Sequence, residues 1–182
     1  MLRHATPWLT AAALVLGSAP ASVADTLDAK TAFDRLAAMA GTWTGSPDAS
    51  DLEIPDGEAP PPPEVRHEIQ VSANGSVVME TMNPGTDHEM INMYHLDGDE
   101  LVMTHYCAGG NQPTMKLALD KSTADRLVFD FTGGTNLDPK VDGFIHDAEL
   151  VFTGDNQVES RWGGYNAGQP TGTMVFHLAR SK

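Results

Sequence analysis

From Val65 to the C-terminus the chain repeats one pattern: short runs in which apolar and polar residues alternate, punctuated by turn residues, with no useful stretch of helical period. Alternate residues of a strand face opposite sides, so a two-residue period specifies strands with one buried face. Nine such runs are predicted, at 65–73, 76–83, 88–96, 100–108, 114–120, 126–132, 143–153, 157–163 and 172–180. Asn74-Gly75 and Asp97-Gly98 are hairpin signals, and Thr153-Gly154-Asp155-Asn156 marks a further turn. Consecutive short antiparallel strands without an internal repeat point to an all-β meander that closes into a barrel, because closure removes the unpaired edges.

The residues before Val65 fall into three kinds. Arg3 and His4, an apolar run from Trp8 to Leu16 and the small residues of Ser22-Val23-Ala24 have the order of a secretory signal peptide over 1–24. Removal after Ala24 leaves one domain over 25–182, periplasmic or secreted. Next, Thr26 or Asp28 is placed to cap a short helix with an apolar stripe of Phe33, Leu36, Ala37 and Ala40, ended by Gly41. Gly41-Thr42-Trp43-Thr44-Gly45 then reads as a tenth strand, and 46–64 as an exposed loop of prolines and acidic residues.

A formal net charge of -14 makes nucleic acid an unsuitable partner, since phosphates need a basic surface. No run beyond the leader approaches the length of a membrane span. Cys107 is the only cysteine, so an intrachain disulfide is excluded, and burial as an inert thiol is the ordinary reading.

A short helix, then Gly-x-Trp, then a strand meander resembles the calycin superfamily of lipocalins, fatty-acid-binding proteins and nitrobindins. Ten strands are most similar to the nitrobindin-type barrel. The segment from Met93 to Met115, MYHLDGDELVMTHYCAGGNQPTM, resembles an uncharacterised family of exported bacterial lipocalin-like proteins. The nitrobindin likeness implies haem held by a histidine near the C-terminus, which falls at His177. Alternation reads differently there: Met174, Phe176 and Leu178 form the apolar face and His177 the other.

The same alternation selects candidate site residues. Pairing Leu96 with Leu101 sets Tyr94 opposite Met103 and Asn92 opposite His105 on the apolar side. A two-residue turn at Asn74-Gly75 pairs Ile69 with Glu80 and His67 with Met82, leaving Glu80 on an apolar face beside His67. Phe144, His146, Ala148, Leu150 and Phe152 share a face, as do Val158, Ser160 and Trp162, and Leu127, Phe129 and Phe131. Buried polar groups without partners cost roughly 1–3 kcal/mol each, so these must pair with one another, with water or with a ligand.

Three function classes follow. The first is a lipocalin-like binding protein for a small, largely apolar ligand. In it His105, His146, Tyr94, Asn92 and Glu80 orient a polar group, and Trp43, Phe129, Phe144 and Trp162 wall the pocket. The second is a metal or haem barrel, for which His88, His105 and His146 with Glu80 or Cys107 are suitable metal ligands, although no close-spaced signature joins them. The third is a small enzyme using the Glu80–His67 pair as acid and base. Ligand and cofactor identity are not legible in the sequence.

Overall fold

A computed structural model describes residues 27–48 and 64–182; the segment expected to be a leader and most of the acidic stretch expected to be a loop lie outside these residues. Ten antiparallel strands close into one barrel in the order β1-β10-β9-β8-β7-β6-β5-β4-β3-β2. They are β1 (Gly41–Asp48), β2 (Val65–Ser72), β3 (Val77–Met82), β4 (Met90–Asp97), β5 (Glu100–Tyr106), β6 (Gln112–Leu117), β7 (Arg126–Thr135), β8 (Phe144–Gly154), β9 (Gln157–Asn166) and β10 (Gln169–Arg180). Every neighbour but one is the next strand in sequence, and the exception, β1 against β10, makes the closure.

Both hairpin registers follow the alternation. Leu96 pairs Leu101, Tyr94 pairs Met103 and Asn92 pairs His105. Ile69 pairs Glu80 and His67 pairs Met82, although the connection is a short 3-10 turn over Ala73–Gly75 rather than a two-residue loop. Asn74 and Gly75 both adopt positive φ there, which is why these residue types stand at this turn.

The one α-helix among the described residues, α1 (Ala29–Ala37), begins at Asp28, whose side chain accepts from the Thr31 amide and whose carboxyl is thereby held below its usual range. Ala29, Ala32, Phe33 and Leu36 are its buried face. That face packs on β3, β4 and β5 at the end of the barrel where β1 starts. Each large apolar side chain so buried contributes about 1.5–3 kcal/mol. The helix stops at Ala38, three residues before Gly41, which instead opens β1; Ala40 is exposed. Arg180 binds the freed carbonyls of Ala38, Met39 and Ala40, and its guanidinium lies 4.5 Å over the ring of Trp43.

The interior holds Trp43, Val78, Met82, Met103, Met115, Leu127, Phe129, Leu150, Trp162 and Leu178 among others. A bulge between Ile145 and Asp147 interrupts β8, so the expected common face of Phe144 and His146 with Ala148 and Leu150 is broken at that point. No helix among the described residues is long and apolar enough to cross a membrane.

Candidate functional site

The middle of the barrel carries a chain of buried polar side chains contributed by four consecutive strands. His67 comes from β2, Glu80 from β3, Asn92 and Tyr94 from β4, and His105 from β5. All five are inside the barrel, none more than 3% exposed. Alternation puts them there: Glu80 pairs Asn92 and Asn92 pairs His105, so three polar residues stand side by side on the inner face.

Glu80 is the centre. His67 Nδ1 lies 2.7 Å from its Oε1, while Asn92 Nδ2 at 2.9 Å and the Tyr94 hydroxyl at 3.0 Å donate to Oε2. Burial is the largest influence on the Glu80 carboxyl and pushes its pKa up. The donors from His67, Asn92 and Tyr94 outweigh it, and the net displacement is downward. Glu80 is therefore ionised at neutral pH. Burial, then the charge and acceptor oxygen of Glu80, raise the Tyr94 hydroxyl well above the usual phenol range, so it stays a donor.

The geometry also fixes hydrogen positions. Asn92 gives its amide N–H to Glu80, so its Oδ1 is the acceptor that faces His105 Nδ1 at 2.6 Å. His105 therefore carries its proton on Nδ1 and presents a bare lone pair at Nε2. Burial lowers its pKa to about 4, against a smaller opposing pull from Glu80, so the ring is neutral at pH 7. The His67 Nδ1–H likewise faces the carboxylate. Nε2 of both histidines is buried without a partner. The His67 ring meets Phe176 edge-on at 5.2 Å and the His105 ring lies 5.5 Å from Trp162, so both imidazoles turn toward the wall made by β9 and β10.

Free space is scarce. A cavity of about 10 Å³ lies beside Glu80 and Tyr94, closed by Leu36 and Met39 near the helix and by Ile69, Val78 and Leu150. That is the size of one water site, far below a drug-sized pocket. Met39 lines this cavity, and the wider core contains Met82, Met103 and Met115, buried, with Met90 and Met174 partly so. Thioether chains re-pack more readily than branched or aromatic ones.

The structure thus brings together Glu80, Asn92, Tyr94 and His105, and adds Trp162 and Phe129, the latter 5.7 Å from the Tyr94 ring. Trp43 stands elsewhere, its Nε1 donating to the carbonyl of Met39 beneath the helix. His146 and Phe144 belong to a second cluster, toward the opposite end of the barrel from α1. His146 stacks 3.9 Å from the Tyr165 ring and 5.4 Å from Phe131, and its Nδ1 is 3.1 Å from the Asp147 carboxylate. Phe144 lies 5.0 Å from Phe131 in the same group. His88 is exposed in the loop after β3, and Cys107, half-buried, accepts the Gly109 amide at 3.4 Å. His177 faces outward toward Glu159, its side chain 52% exposed. Among the described residues no group of three or more His, Cys, Asp and Glu is arranged to hold a metal ion.

Phe176, Leu36 and Met39 went unrecognised as neighbours of the polar chain. Phe176 was legible as an inward residue of the last strand, but its proximity to His67 comes from barrel closure, to which local alternation is blind.

The fold and its core define a closed antiparallel barrel with a charged hydrogen-bonded cluster set into an apolar interior. No family model matches the chain, and no curated protein matches it. Five solved chains do. The crystal structure of Rv2717c from M. tuberculosis aligns with a TM-score of 0.50 at 15% identity, over 83% of this chain and 98% of that one. At that identity the likeness concerns the fold alone.

Proposed function

We propose that this chain is an exported, lipocalin-like protein of the calycin type that binds a small, largely apolar molecule inside its barrel, with the Glu80 cluster as the polar recognition element. The reading rests chiefly on one observation: an ionised carboxylate and two imidazole nitrogens without partners occupy the centre of a core that packing alone would fill with hydrocarbon. Such groups are expensive to bury, and a well-packed apolar replacement is often neutral or stabilising. Binding offers a reason to keep them. The barrel shape supports the reading because barrel interiors are common ligand sites. The leader over 1–24 supports export to the periplasm or medium.

The ligand does not fit a 10 Å³ cavity without rearrangement, so binding requires the methionines of the core or the Leu36–Met39 edge of the helix region to move. Native mass spectrometry on mature protein purified from its own compartment tests the proposal directly. A stoichiometric organic adduct, lost in Glu80→Leu while the barrel fold persists by circular dichroism, is expected. Absence of any adduct, with Glu80→Leu more stable than the parent, would assign the cluster to fold specificity alone.

A second reading has one contact in its favour. The His67–Glu80 pair, at 2.7 Å, has the arrangement of a carboxylate that orients an imidazole base. Turnover of a bound substrate that His67→Gln abolishes without loss of binding would establish it.

A further inference from the structure

The hydrogen positions in the core discriminate between kinds of ligand. Asn92 is locked by Glu80 and Met82 on its amide nitrogen and His105 on its oxygen, which leaves His105 with Nε2 as an acceptor, and Trp162 lies beside that ring. The nearest formal charge is negative, on Glu80. No lysine or arginine is buried among the described residues. A carboxylate or phosphate brought into this interior meets a bare lone pair and a like charge, with no buried ammonium or guanidinium to receive it. A hydroxyl or N–H meets the unpartnered lone pair of His105 Nε2.

Resting on the ligand-binding reading above, we propose that the molecule this barrel takes carries an uncharged O–H or N–H donor received by Nε2 of His105, and that anionic headgroups are excluded. The flanking surface supports an aromatic or otherwise flat carrier for that donor, since Trp162 borders His105 and Phe129 borders Tyr94. The donor's proton stays on the ligand: His105 accepts a hydrogen bond and no bond is made or broken. The selectivity comes from leaving the Nε2 lone pair unpaired when the wrong group binds, which is a larger penalty than the loss of one favourable contact.

Three matched probes read this on the unsubstituted mature protein at pH 7: phenol, which donates; anisole, which only accepts; and benzoate, an anion. Affinities are measured by calorimetry, and the ¹⁵N shift of His105 Nε2 is followed by NMR. Phenol is expected to bind roughly tenfold more tightly than anisole, benzoate not at all, and phenol alone to move the Nε2 resonance as the lone pair gains a donor. In His105→Leu, checked for native circular dichroism, phenol and anisole should become equal. Equal affinities in the unsubstituted protein, or benzoate binding as tightly as phenol, overturn the donor assignment and leave the ligand-binding reading standing. Failure of all three probes, with no adduct in the native mass spectrum, overturns that reading and this one with it. Stoichiometric uptake of Cu⁺ or Zn²⁺ that displaces phenol and is lost in His105→Leu reassigns the lone pair to a metal.

Discussion

Glu80 accepts from three side chains on two neighbouring strands, so its removal and the removal of one donor should differ in kind. Tyr94→Phe deletes one hydrogen bond and leaves the carboxylate two donors, for an expected loss of about 1 kcal/mol. Glu80→Ala leaves a phenol, an amide and an imidazole unpaired in the core and opens a cavity, for about 3–5 kcal/mol. Urea denaturation of both variants and of the double mutant checks this, and the pair should be strongly non-additive because the partners are in contact. Acid adds a second test. His105 titrates at about 4 in the fold against about 6.5 in the unfolded chain, so between those values the unfolded state binds more protons. Stability should therefore fall as pH drops from 6.5 toward 4, by on the order of 3 kcal/mol from this residue. Glu80, with its pKa lowered in the fold, loses its contribution in the same direction at still lower pH. Replacing His105 by Gln should flatten the pH 4–6.5 limb of a melting-temperature profile.

At the scale of elements, the two-residue period carried almost everything local. It placed Asn92, Tyr94 and His105 on one inner face and Glu80 beside His67, because an antiparallel register follows from the turn and the buried face together. It failed where the period itself is interrupted. The bulge between Ile145 and Asp147 adds a residue that no hydrophobic pattern announces, and His146 joined Tyr165 and Phe131 instead of His105. Non-local neighbours such as Phe176 were equally out of reach. The helix shows the same limit. Asp28 was legible as a cap, whereas the satisfaction of its C-terminal carbonyls by Arg180, from the far end of the chain, was not. Arg180→Ala should cost about 1–3 kcal/mol through those carbonyls and the contact with Trp43. Hydrogen exchange should rise first in Ala32–Met39, before the strands, and Arg180→Lys should recover less than half, since an ammonium lacks the planar fork.

For the molecule as a whole, nine of the ten strand neighbours are sequential and the tenth joins the two ends of the domain. Loop-closure entropy makes that seam the slowest contact to form. Gly45 sits on it: a Cβ there would lie 1.8 Å from the carbonyl oxygen of His177, so only glycine allows β1 and β10 to pair at this register. Gly45→Ala is expected to cost about 3 kcal/mol or more. In a chevron plot the change should appear mainly in the unfolding arm, because contacts made after the transition state alter unfolding rather than folding. A shift confined to the folding arm would mean that closure nucleates the barrel.

The pairing of His105 with Trp162 has an optical consequence. A chain of residues 25–182 carries two tryptophans, Trp43 and Trp162, and they sit beside different groups: an always-charged guanidinium for one and a titrating imidazole for the other. A protonated imidazole quenches indole emission far more than a neutral one. Acidification should therefore dim Trp162 with a midpoint near the His105 value of about 4, while Trp43 holds steady until the barrel opens. With Trp43→Phe as the single-tryptophan background, the emission of one native residue becomes a gauge of the proton at the centre of the barrel. Any donor accepted at Nε2 should move that midpoint to lower pH, because it competes with the proton for the same lone pair.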